Sequence, residues 1–287
     1  MATSTPSDGG AQSNSSDAVS IELRGIVMNA LALAPAGANV VMQLSRLPVG
    51  RGVAESRVSS GALTRRPIKR TRTTLGYILV ALLGDDDERA TLRREVNGQH
   101  REVRSRPDDA VSYDAFDTEL QLWVAACMYR GALDAVRFIY GTPSDELLDE
   151  LYAQCSRFAT TLQVTPDQWP PTRAAFDEYW ESAAAQVEMD DVTRAYLRGV
   201  VALTFLPRPL RVGIGPLHEF VTAGFLPEPF RSELGLAWDD RCERRFVALM
   251  RATVAVHRRM PRVVREFPLN AVWWDTRRRF RSGQSFV

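Results

Sequence analysis

Three histidines occur in 287 residues, at positions 100, 218 and 257, so each can be weighed singly as a ligand or proton carrier. His100 is set apart by its surroundings. Asp85, followed three residues later by Glu88, has the form of a capping box and predicts a helix running to about Arg104. Within it Leu92, Val96, His100 and Val103 recur at helical spacing, while Arg93, Arg94, Glu95, Arg101 and Glu102 lie mostly on the other side, so His100 points inward. An inward histidine is more often a core residue bonded to a backbone carbonyl than a ligand, and periodicity alone does not decide between them. Arg104 adds a second chemistry: four residues on, it places a permanent cation about 6 Å along the same side of the helix. A haem would satisfy both groups, iron for the imidazole and a propionate for the guanidinium. The plain alternative is an arginine reaching solvent at a helix end.

The elements that must position these residues are helical. Thr73 to Leu83 places Leu75, Ile78, Leu79, Leu82 and Leu83 on one face and stops at Gly84. Thr118 to Tyr140 is apolar over much of its circumference, which predicts a central helix, ended by Gly141 and Pro143. Ser144 starts a helix to about Leu162, Thr172 starts another, and further helices fall at about 192–203, 216–223 and 239–258. Prolines 207, 209, 227 and 229 impose extended or turned connections. Runs of alternating β-branched residues and repeats of fixed period are missing. The fold class is therefore all-α: one globular multi-helix domain over residues 19–287, preceded by a polar segment, 1–18, read as a disordered tail.

With 36 basic against 35 acidic residues and a net charge of +1, no global field draws the chain to nucleic acid or to an anionic membrane. Cys127, Cys155 and Cys242 are odd in number, far apart and set among apolar residues, so they read as reduced, buried thiols rather than a disulfide framework or zinc site. The start of the chain lacks a basic-then-apolar leader, and no apolar run approaches the roughly 20 residues a bilayer span needs, which places the protein in the cytoplasm. Asp85, Asp86 and Asp87 read as a helix N-terminal cluster rather than a magnesium site. His218 and His257 read as structural or surface residues. Arg277, Arg278, Arg279 and Arg281, near Trp273 and Trp274, read as a solvated tail rather than an RNA contact.

Five segments, taken in order, resemble the MpaB-type oxygenases and latex-clearing rubber oxygenases: VMQLSRLPVGRGVAES from Val41 to Ser56, Arg70 with Thr74, HREVR from His100 to Arg104, YDAFDTELQLWVAA from Tyr113 to Ala126, and FLPEPFRSELGLAW from Phe225 to Trp238. The resemblance implies that His100 is the proximal ligand of a b-type haem. It also implies that Arg70 and Thr74, four residues apart on the preceding helix, line the haem pocket, and that Arg104 contacts a propionate. A further propionate-binding arginine falls between Arg211 and Arg231, with neither preferred. The chain departs from the pattern where Ala125 takes the place of a histidine after the tryptophan, where Leu47 takes that of a histidine before Pro48, and where a glycine after Val103 is missing. These departures spare the iron ligand and alter the pocket rim.

The function so implied is oxygenation of a hydrophobic small molecule by dioxygen, with Thr74 donating a hydrogen bond to oxygen and Arg70 stabilising developing charge. Haem would be noncovalent, since no C-x-x-C-H pattern occurs. Rubber oxygenases act outside the cell, so without a leader polymeric rubber is not the expected substrate. The expected partners include no nucleic acid, and a homo-oligomer stays open. Two other readings also stay open: a haem-binding sensor or store without turnover, and a haem-free helical ligand-binding protein.

Overall fold

The computed structural model describes residues 19–55 and 66–286, so the tail expected over 1–18 and the end of the first resembling segment, Ser56, lie outside the described residues. Among the described residues every regular element is helical, as the periodicity predicts, and the lone β-pairing is an isolated antiparallel bridge between Arg104 and Asp114. The helices are α1 (Ile21–Val27), α2 (Ala36–Leu44), α3 (Leu47–Ala54), α4 (Pro67–Leu83), α5 (Asp86–His100), α6 (Thr118–Tyr140), α7 (Asp145–Cys155) and α8 (Arg157–Thr160). They continue with α9 (Arg173–Ala184), α10 (Asp191–Val201), α11 (Arg208–Phe225), α12 (Phe230–Leu234), α13 (Asp240–His257), α14 (Arg262–Glu266) and α15 (Leu269–Arg281).

Helix α6 is the axis of the fold. Its Asp117 cap accepts from the Glu119 and Leu120 amides, and Gly141, at φ 79°, ends it where an L side chain would be strained. Trp123, Ala126, Cys127 and Val136 are fully enclosed on it, and α2, α7 and α8 pack around it. The Trp123 ring lies 5.4 Å from that of Trp180 at 13°, and Tyr129 meets Phe176 edge-on at 4.7 Å, so α6 and α9 are joined through aromatic faces and edges.

Several boundaries differ from those expected. α4 begins at Pro67 rather than Thr73, with proline at a first-turn position where its missing N–H costs nothing. The helix expected from Ser144 to Leu162 breaks at Ser156 into α7 and α8. α11 starts at Arg208 and carries Pro216 inside it, so Pro209 opens a helix rather than forcing a turn. The arginine-rich C terminus is no solvated tail. It forms α15, packed on α4, with Arg72 bonded to Asp275 at 3.0 Å and Arg277 to Glu88 at 2.8 Å. Cys127 and Cys155 are free and buried; Cys242 is free but half-buried. No single helix among the described residues is long and apolar enough to cross a membrane.

Candidate functional site

Helix α5 is built as the sequence predicts at one end and differently at the other. Asp85 and Glu88 form the reciprocal capping box, with Asp86 and Asp87 in the first turn. The helix then stops at His100: the Val103 amide donates to the His100 carbonyl, Ser105 N to Tyr113 O at 2.8 Å, and Ala115 N to Val103 O at 3.0 Å. Residues 101–106 offer only Val103 for burial and are followed by Pro107, which disfavours helix at the residue before it. Arg104 is thus not on the helix face of His100. It sits in the bridge to Asp114, exposed, and residues 103–116 form a loop that returns past the imidazole.

That return delivers Phe116, whose ring meets His100 edge-on at 6.1 Å and 86°. Asn97, one turn before His100, is held by a relay of amides. Gln163 donates from Nε2 to Asn97 at 2.8 Å and from its backbone to Gln121 at 3.0 Å, while Gln121 donates to Gln163 and to the Ala115 carbonyl at 2.7 Å each. These bonds fix the end of α5, the loop and the start of α6 together.

Within this frame the imidazole Nδ1 of His100 is buried with no hydrogen-bond partner. The other histidines have the backbone bonds expected of structural residues: His218 Nδ1 lies 2.8 Å from the Val201 carbonyl, and His257 Nε2 3.3 Å from that of Arg265. Burial first, and then the nearby Arg70 cation, lower the His100 pKa to about 4 against the opposing pull of Asp114, so the ring is neutral at pH 7.

Arg70 and Thr74 stand one turn apart on α4. The back of this helix is held firmly: Tyr77 donates to the Phe158 carbonyl at 2.6 Å, and a side chain at Gly76 would collide with Phe286 and Thr276, so only glycine admits the C-terminal segment this closely. Neither Arg70 nor Thr74 has a side-chain partner among the described residues. Arg70 is exposed to solvent, yet enough protein surrounds it that desolvation lowers its pKa, with Tyr196 of α10 opposing. The two observations pull apart. They are compatible where solvent reaches the guanidinium while the surrounding protein strips part of its bulk hydration.

The structure therefore brings together Arg70 and His100, adds Asp114, Phe116 and Tyr196, and leaves Arg104 on the loop. Phe116, Asp114 and Gln121 lie inside the resembling segment from Tyr113, where a signal was available; Tyr196, Asn97 and Gln163 carried none. Ala125 and Trp123 face the core, and Trp123 donates to the Gln43 carbonyl at 3.1 Å. Of the two C-terminal arginines, Arg231 is committed to Glu228 at 3.0 Å and stacks on Trp238, whereas the Arg211 side chain has no ion pair or hydrogen bond among the described residues. A polar cleft of about 390 Å³ lined by Arg89, Arg93, Arg157 and Thr160 lies towards the opposite end of α5 and excludes His100.

Comparison with known proteins places these residues in context. The family described as "ER-bound oxygenase mpaB/B'/Rubber oxygenase, catalytic domain" matches residues 24–255. A protein of Mycobacterium bovis and one of Mycobacterium tuberculosis, both described as uncharacterized, are each 44% identical over 250 residues, covering 87% of this chain and 98% of theirs. No solved structure matches.

Proposed function

The chain belongs to the family of oxygenase catalytic domains that includes mpaB and the rubber oxygenases, and from that premise we propose that it is a haem b-dependent oxygenase with His100 as the iron ligand. The observation that carries this reading is the buried, unpartnered Nδ1 of His100, when the other two histidines are bonded to backbone carbonyls. Among the described residues no three His, Cys, Asp or Glu side chains converge as a metal-binding cluster, so a lone imidazole suits iron that arrives with four porphyrin nitrogens already in place.

When bound, the haem supplies the binding and activation of dioxygen. The chain's own residues supply the setting. A neutral His100 offers a lone pair at pH 7, and the Phe116 edge and the Asn97 relay restrict how the ring can turn. Arg70 is a cation without a carboxylate among the described residues, suited to a propionate or to charge that develops on the reacting oxygen. Thr74, exposed on the same stripe of α4, is a hydrogen-bond donor with no protein partner among the described residues. Arg104, exposed on the loop beside Asp114, is the residue that the family resemblance offers to a propionate. Rubber is named for relatives in the family; for this chain we infer a hydrophobic small molecule.

The test is a pyridine haemochrome assay with acid–acetone extraction on the purified full chain, followed by oxygen-uptake screening. One extractable b-type haem per chain is expected. A folded protein with no Soret band after incubation with hemin would sink the proposal, and haem binding without oxygen consumption across hydrophobic substrates would favour a sensor or store.

A further inference from the structure

The charge of this chain is balanced overall and lopsided locally. Nine of its 36 Lys and Arg, but only two of its 35 Asp and Glu, fall within residues 251–281. The two acids are already engaged, Glu266 by Arg262 and Asp275 by Arg72 and Arg279. Arg259, Arg278 and Arg281 have no carboxylate among the described residues.

The same stretch exposes apolar side chains. Every residue from Arg258 to Val264 is exposed. Val256, Met260, Val263, Val264, Phe267 and Trp274 make up six of the fifteen exposed large hydrophobic residues of the described chain, with Val263 at 72%, Phe267 at 62% and Trp274 at 63%. They are presented by a firm corner. α13 turns over at Met260, whose amide donates to the His257 carbonyl. The buried His257 ring lies against the Arg265 carbonyl, and Asn270 donates to the Val263 carbonyl at 3.0 Å. Beyond the corner, Ala271, Trp274, Arg278 and Arg281 continue along one exposed stripe of α15, with the Arg278 guanidinium 5.6 Å over the Trp274 ring.

We propose that the corner from α13 through α14 to α15 docks on the surface of an anionic phospholipid bilayer, with Met260, Val263, Val264 and Phe267 entering the headgroup boundary and Arg259 and Arg278 on lipid phosphates. A nucleic acid would explain the arginines but not two adjacent exposed valines and a methionine. A protein partner would need a matching concave surface, whereas a fluid interface needs only protruding apolar residues ringed by guanidiniums, with aromatics at headgroup level. The proposal stands apart from the cofactor reading, since none of these residues belongs to the His100 site.

The experiment is vesicle co-sedimentation of the full chain at about 0.1 M salt, where surface charge is still felt over about 10 Å. Vesicles of phosphatidylcholine with phosphatidylglycerol are compared with phosphatidylcholine alone, and circular dichroism confirms folding of each variant. Binding to the anionic vesicles at least tenfold stronger is expected. Val263→Ser with Phe267→Ser should weaken it tenfold or more, and Arg259→Gln with Arg278→Gln should weaken it and flatten its salt dependence. Equal or absent binding to both vesicles would overturn the proposal. So would an unaffected Val263/Phe267 variant, or retention by single-stranded RNA that vesicles fail to compete.

Discussion

Around Trp123 the indole N–H donates to the Gln43 carbonyl, the ring stacks on Trp180 and Arg46 covers its face at 5.2 Å; around His100, among the described residues, a buried ring nitrogen has nothing to bond, and Arg70, the cation felt by the ring, has no anion. Both regions are made from amphipathic helices on the same α6 frame. An unmet buried polar atom costs about 1–3 kcal/mol, so a fold tolerates few. The aromatic core has orphans of its own, Trp169 Nε1 and Arg46 Nε, and the difference lies in their surroundings. The indole N–H sits among apolar rings, and Arg46 still bonds Gln186 and covers Trp123. The orphan imidazole sits instead with a guanidinium that has no anion among the described residues, the pairing that a ligand bearing both a metal and an anion would complete.

The sharpest way to break the contrast is to hollow out the core. Trp123→Ala removes a fully enclosed ring and should cost about 3–5 kcal/mol in urea unfolding; a loss under about 1 kcal/mol would mean that the ring is not packed as described. At the site the expected signature is pH dependence. The folded-state pKa of His100, about 4, lies below the ordinary 6.5, so the unfolded chain binds the proton first. Stability is then whole above about 6.5 and lost as pH falls towards 4, by roughly 3 kcal/mol at most. Asp134, raised to about 6 by burial, acts in the opposite sense, its contribution fading as pH rises through 6. Urea midpoints across pH in an Asp134→Asn background should therefore slope with pH for His100 and flatten for His100→Gln; identical slopes would show that His100 is not desolvated.

Much of this was legible beforehand, for reasons that differ by residue. The Asp85–Glu88 box and the 118–140 helix follow from local rules, capping and apolar periodicity, and both stand as expected. Arg104 did not, because a spacing of four residues implies one face only while the helix lasts, and α5 ends at His100. α15 was missed because its arginines hide an apolar side: Leu269 and Thr276 are buried, and its partner α4 lies about 200 residues away in sequence, beyond any local pattern. Tyr196 reaches the site through tertiary packing alone.

Smaller changes sharpen the contrast from the supporting side. Gln163→Ala cuts the relay to Asn97 and Gln121 and should cost about 1–2 kcal/mol while leaving the aromatic core intact by near-ultraviolet circular dichroism. A loss of that near-ultraviolet signal would mean that the two regions are not separable. Tyr77→Phe deletes one bond from α4 to the Phe158 carbonyl and should cost about 1 kcal/mol in thermal unfolding, the smallest of these effects.

The central claim is tested most directly by titrating hemin into the full chain and into His100→Ala, following the Soret band with and without added imidazole. The wild type should bind one equivalent tightly, His100→Ala should lose most affinity or shift its spectrum, and imidazole should partly restore it. A His100→Ala protein that keeps the wild-type spectrum and affinity would make His100 an ordinary core histidine and contradict the assignment.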